Sequence, residues 1–300
     1  MEKFAQQIVN GLSQGSIYAL IALGYTMVYG IVKLINFAHG DIYMIGAYVG
    51  FAVTTFTRFG HSRFGFIAAL VIAMVACAVL GVCIERIAYK PLRNSSRIAV
   101  LITAIGVSLF LDYTLMYFVG AGTRSYPPGV LSDRSFTVGG VVIKYQQVIV
   151  VLVSIALMIL LQFIVKKTKQ GKAMRAVSFD KEAAQLMGIN VDRTISFTFL
   201  LGSALAGAAG VMVGIYFNSI DPLMGMMPGL KAFVAAVFGG IGSIPGAMVG
   251  GLSIGVIETL VAGAGHGISQ YRDAAVFAIL ILVLLIKPSG LMGKKTGNKV

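Results

Sequence analysis

Long apolar runs separated by short polar ones set the pattern of this chain. Nine such runs can be drawn, near 8–35, 42–57, 64–84, 98–120, 147–165, 194–217, 229–242, 244–262 and 272–287. A straight helix needs about 20 apolar residues to cross a bilayer core. Several runs fall short of that, so the pattern predicts about 8–10 transmembrane or half-spanning helices. The expected fold class is all-α and polytopic, a single transmembrane domain over 1–300 with one short helix outside the bilayer. Small residues recur inside the runs, at Gly202, Ala206 and Gly210 and again at Gly246, Gly250 and Gly251. That spacing predicts helices that approach each other closely without polar glue.

One polar segment, 166–193 (KKTKQGKAMRAVSFDKEAAQLMGINVDR), is too charged for lipid. It holds seven cations against three acids, and loops rich in Lys and Arg stay in the cytoplasm. Within it Ser178 or Asp180 can cap a helix, Lys181 to Met187 favours one, and Gly188 suits the left-handed stop. The expected product is a helix of roughly two turns. Ala183, Ala184 and Met187 then form a low-relief stripe with Lys181, Glu182 and Gln185 at its edges. Such a knob suits docking into a partner's cleft better than catalysis.

Alternating outward from this segment places the N-terminus outside and the C-terminus in the cytoplasm. Sixteen of the 24 Lys and Arg residues then fall inside, as the positive-inside rule requires. The start, Met1-Glu2-Lys3-Phe4, lacks the basic region of a signal peptide, so the first run is expected to remain as a helix. The other long polar segment, 120–146, falls outside. Pro127-Pro128-Gly129 marks a turn there, and Ser135 to Ile143 reads as two short strands around Gly139-Gly140.

Composition agrees with this class: 57% of residues are hydrophobic and 12% charged, and the mean hydropathy is +0.88. The net charge of +13 does not point to nucleic acid, because the cations sit in loops and no binding motif accompanies them. Cys77 and Cys83 share one apolar run and read as packing residues, with neither a metal-ligand spacing nor a disulfide geometry. No metal site is expected. No phosphate-cradling G-x-x-x-x-G-K-[ST] loop and no nucleophile constellation is present, so the chain is not expected to be an enzyme or to hydrolyse ATP itself.

Polar groups in apolar surroundings are the remaining candidates for chemistry. Asn36 to Asp41 and Phe238 to Ala247 interrupt the helical pattern with glycine and polar residues. Each reads either as a membrane-embedded break that offers free backbone groups to a polar substrate or as a tight cytoplasmic turn. Asn36, His39, Gly40, Asp41, Gly242 and Ser243 are the candidate pathway or gate residues. A charge at a helix centre costs roughly 2.5–3.5 kcal/mol, so Asp112, Lys231 and Glu258 need partners. Lys231 and Glu258 are expected to form an intramembrane ion pair.

Glu182-Ala183-Ala184, followed after three residues by Gly188, resembles the EAA loop of ABC importer permeases. Asn36-Phe37-Ala38-His39-Gly40-Asp41, then Tyr43-Met44-Ile45-Gly46-Ala47-Tyr48, then Phe238 to Ala247 look like the LivH-type permease of branched-chain amino-acid transporters. The likeness runs from about Gln6 to Gly290. It departs after Gly188, where Ile189-Asn190-Val191-Asp192 replaces the hydrophobic Leu-Pro ending of the longer consensus. The resemblance implies a bacterial inner-membrane subunit that pairs with a second related permease. Two cytoplasmic ATPases would carry ATP and Mg, and an extracytoplasmic binding protein would deliver leucine, isoleucine or valine. It also assigns Asp180, Glu182, Ala183, Ala184, Met187 and Gly188 to ATPase coupling. Related permeases carry urea or short amides, which stay open as substrates; an ion-coupled carrier or channel is the rival from another class.

Overall fold

The computed structural model describes residues 2–33, 36–57, 64–93, 95–127, 129–131, 134–265 and 267–293. The cations Arg58, Arg63, Lys294, Lys295 and Lys299 counted for sidedness, and Pro128 of the outer turn, lie outside the described residues. Among the described residues eleven α-helices and one hairpin order the chain. They are α1 (Glu2–Val32), α2 (His39–Phe56), α3 (Gly65–Ile84), α4 (Arg97–Val119), the strands β1 (Ser135–Val138) and β2 (Val141–Lys144), α5 (Tyr145–Lys167), α6 (Lys169–Phe179), α7 (Lys181–Leu186), α8 (Val191–Phe217), α9 (Met226–Gly239), α10 (Ile244–Gly263) and α11 (Arg272–Ile286). A π turn over Glu85–Tyr89 extends α3. Among the described residues, seven helices are long and apolar enough to cross a membrane, and α9 is a shorter apolar one. Each of the nine apolar runs is a helix, and the chain is a polytopic all-α membrane protein.

Glycine sets how the central helices meet. A side chain at Gly11 would strike Val256, one at Gly15 would strike Leu252, and Gly251 faces Ala19. Along α1 and α10 these contacts run in opposite directions, so the two helices are antiparallel and nearly backbone to backbone. Gly24 meets Gly202 of α8, Gly46 meets Gly207, and Gly210 presses on the Tyr43 carbonyl of α2. In lipid such close approach gives van der Waals packing and weak Cα–H contacts where apolar burial drives nothing. Residues 17–28 of α1 and 205–213 of α8 are consequently buried almost throughout, whereas α4, α5 and α11 turn broad apolar faces outward, as lipid-facing helices do.

The two longest helices end alike. Lys33, directly after α1, has φ +60, and Asn218, directly after α8, has φ +52; they are the two non-glycine residues with positive φ among those described. A lysine rarely takes this left-handed conformation. The helix that follows each of them starts inside the bundle. Gly40 at the start of α2 lies against Gly225 and Gly229 at the start of α9, and a Cβ on Gly40 would stand 2.5 Å from the Gly225 carbonyl oxygen.

The outer segment forms the expected hairpin. Ser135 pairs with Lys144 and Val138 with Val141, around Gly139 (φ +58) and Gly140 (φ +83), the positive-φ pair that a two-residue hairpin turn requires. β2 leads directly into α5, whose far end leads into α6 and α7. The 23 residues of α5 rise about 34 Å, so the hairpin and α7 occupy opposite ends of the molecule. Cys77 is buried but Cys83 is exposed, which corrects the expectation that both pack inside.

Candidate functional site

At the α7 end, local sequence builds a rigid short helix. Asp180 is its N-cap, and its carboxylate accepts from the Ala183 N–H at 3.0 Å. Gly188 closes it at φ +82, a conformation that costs glycine little. Ser178 is not the cap; its hydroxyl donates to the Arg175 carbonyl. The stretch 169–179, expected as loop, is the helix α6 with Thr168 as its cap. Its lysines and glycine gave no apolar periodicity, but Gly171, Met174 and Val177 bury one face.

The docking stripe differs from expectation at one position. Ala184 is 4% exposed and packs into its own chain, because its face of α7 turns toward the bundle. Glu182 and Ala183 face solvent. What α7 displays beyond them is bulky: Leu186 is 88% and Met187 83% exposed.

A charge cluster that the sequence reading missed fastens this end. Glu85, fully buried in the π turn, accepts from Arg93 and, at 2.6 Å, from the Ser196 hydroxyl of α8. Arg93 also pairs with Asp192, and Lys90 reaches Asp192 at 2.8 Å. Gln185, Gly188 and Ile189 share a surface cavity with Lys90, Arg93 and Asp192. The end of α3, the start of α8 and the base of α7 therefore form one tied unit. The signal lay in Glu85, an acid closing a long apolar run, which demands a partner.

The two breaks in the helical pattern prove unlike. Phe238 to Ala247 is a tight turn between antiparallel α9 and α10. Gly240 (φ +106) and Gly242 (φ +95) turn the chain, Ser243 caps α10 by accepting from the Gly246 N–H at 3.2 Å, and Gly239 abuts Gly246. Asn36 to Asp41, in contrast, is interior. Asn36, His39 and Asp41 are each at most 2% exposed. His39 sits beside Gly24, eight residues short of the end of α1, or about 12 Å along it. Asn36 accepts from the Tyr89 hydroxyl at 2.7 Å, and His39 meets the Tyr25 ring edge-on at 4.8 Å. Asp41 lies close to Ser108 and Asp112 of α4, and the buried Asp41 Oδ2 and Asp112 Oδ1 have no hydrogen-bond partner among the described residues. None of Asn36, His39 and Asp41 lines a described cavity.

Lys231 and Glu258 come together, with Nζ 2.6 Å from Oε1, and they have company. Lys231 is also 2.6 Å from Asp273 at the start of α11, and the Tyr18 hydroxyl donates to Glu258 at 2.8 Å. Lys231 is 5% exposed and belongs to the interior. The network joins α1, α9, α10 and α11. Among the described residues no group of three or more His, Cys, Asp and Glu side chains could hold a metal ion.

These features define a polytopic helical membrane protein. The fold is shared with an ABC transporter of metal-chelate type in an inward-facing conformation, at a TM-score of 0.50 and 15% identity over 94% of this chain and 87% of that one. Residues 7–285 match the family described as the permease component of the branched-chain amino acid transport system, and the chain belongs to that family. It is 43% identical to two high-affinity branched-chain amino acid transport system permease proteins, BraD of Pseudomonas aeruginosa and LivH of Escherichia coli K12, over 99% of this chain and 98% of each relative.

Proposed function

We propose that this chain forms half of the path by which an ABC importer carries leucine, isoleucine or valine across the bacterial inner membrane. In this reading α7 lies in the cytoplasm and the hairpin outside, with the N-terminus outside and the C-terminus inside. A second related permease completes the path, two cytoplasmic ATPases bind ATP and Mg, and a binding protein delivers substrate at the hairpin end. Family membership along nearly the whole chain supports the substrate class.

The observation that carries the coupling role is the display of Leu186 and Met187 on a capped helix tied to the bundle. Large apolar side chains held out from a rigid support mark a protein contact. ATPase closure would push on α7, and the Glu85–Arg93–Asp192 cluster would pass that movement to α3 and α8 together. Asn36, His39, Gly40 and Asp41 then shape the interior at a helix junction, and Gly242-Ser243 forms a turn at the cytoplasmic end. The test is reconstitution with copurifying subunits. Stimulation of ATP hydrolysis by binding protein loaded with leucine, isoleucine or valine is expected; stimulation by urea or a short amide alone would replace the substrate assignment.

A further inference from the structure

A cavity of about 170 Å³ opens at the α7 end between α1, α5, α6 and the α9–α10 turn. Its floor is apolar and buried, made by Met27, Ile31 and Met174. Its rim carries two exposed cations, Lys33 and Arg175, and no acidic side chain lines it among the described residues. Among the described residues neither cation has a carboxylate partner, and the Arg175 guanidinium donates to the Val165 carbonyl. Thr26 also lines it, and its buried hydroxyl has no hydrogen-bond partner. A buried hydroxyl without a partner costs free energy, which a bound ligand can recover. The rim is positive beyond the cavity itself: burial first, then the neighbouring Arg93 and Lys33 cations, hold the Lys181 amine below the usual lysine value.

We propose that this cavity is a binding site for a small aliphatic monocarboxylate, its carboxylate between Lys33 and Arg175 and its tail on Met27, Ile31 and Met174. Size limits the ligand. The volume equals roughly six waters at about 30 Å³ each, enough for a short branched chain and too little for a phospholipid tail. Charge selects it further. An ammonium group would meet two cations and no acid, so an amino-acid zwitterion is disfavoured against the same skeleton without its amine. Binding at this site does not rest on the transport reading.

Titration calorimetry on the full chain in nanodiscs, with whatever partner subunits copurify, tests the site with 4-methylpentanoate, its uncharged amide, leucine and inorganic phosphate. Saturable binding of 4-methylpentanoate is expected, at least about tenfold tighter than any of the other three. Thr26→Val should weaken it about threefold to tenfold without lowering Tm, because that hydroxyl bonds to nothing in the empty protein. Lys33→Gln should weaken it about tenfold and flatten its dependence on salt. The proposal is overturned if 4-methylpentanoate does not bind up to about 10 mM, if leucine, the amide or phosphate binds equally well, or if both variants bind like the parent. Because binding is read directly, failure here leaves the transport assignment standing, and failure of transport leaves this site standing.

Discussion

Asn36 to Asp41 and Phe179 to Gly188 are the two sharpest interruptions of the apolar pattern, and their side chains go opposite ways. In the first, the polar groups Asn36, His39 and Asp41 turn inward and meet Tyr89, Tyr25 and Asp112 of the same chain. In the second, the apolar Phe179, Leu186 and Met187 stand in solvent, each more than 80% exposed. Residue type alone leaves the first open as a polar site for cargo or a tight turn, and it reads the second as a docking helix without saying which side chains it displays. Accessibility decides. Asn36, His39 and Asp41 are closed off from solvent inside the bundle, with Asn36 Nδ2, His39 Nε2 and Asp41 Oδ2 left without hydrogen-bond partners among the described residues, while apolar surface left uncovered on a rigid helix asks for another protein. Substitutions in the first region should therefore strike folding, and those at the α7 tip should strike assembly and coupling.

The largest effect falls at the junction of the two helix starts. Gly40→Leu would drive a side chain into the Gly225 carbonyl oxygen, 2.5 Å from the first added carbon, with Gly229 behind it. Neither neighbour is a flexible side chain that can move aside. Overpacking of this kind costs about 1–3 kcal/mol or more, and little monodisperse protein should survive size-exclusion chromatography. Recovery of parent-like yield and Tm would show that the junction is loose and return these residues to candidacy as a moving gate.

Lys231→Met ranks next. It leaves Glu258 and Asp273 facing each other without their shared cation, and breaking a buried pair in this way costs about 3–5 kcal/mol. Neutralising the partners as well, in Lys231→Met/Glu258→Gln/Asp273→Asn, should restore most of the lost Tm. A triple variant as unstable as the single one would mean that the lysine contributes by packing and not by charge.

The smallest effect in the buried region is expected for His39→Gln, which keeps hydrogen bonding and removes titration. Loss of the edge-on contact with Tyr25 costs about 0.5–1.5 kcal/mol, read as a small fall in Tm, and appreciable transport should remain. Complete loss of transport in a variant that still assembles would give His39 an ionisation role and erase the contrast between the regions.

What could be read beforehand follows the range of the forces involved. The Asp180 cap, the Gly188 stop, the Gly139-Gly140 hairpin and the small-residue helix faces are set by neighbours within a few residues, and each is visible in the letters. The pairing of Lys231 with Glu258 was legible because consecutive helices carry them. Tyr18 and Asp273, which complete that network, come from helices 240 residues upstream and one helix downstream, and nothing local announces them. Ala184 shows the same limit: helical spacing places it on a stripe with Ala183, but only the packing of α7 on the bundle reveals that it faces inward. For that reason a bulky residue at Ala184 would disturb folding and coupling together and could not separate them.

The exposed tip can separate them. In Leu186→Asp/Met187→Glu no buried group changes, so stability should move by no more than about 0.5 kcal/mol. The decisive measurement is ATP hydrolysis by the reconstituted transporter carrying this double variant, with and without loaded binding protein, alongside the Tm of the permease. The account predicts an unchanged Tm together with weakened ATPase association or loss of stimulation. Normal stimulated hydrolysis and normal transport would contradict the role given to α7.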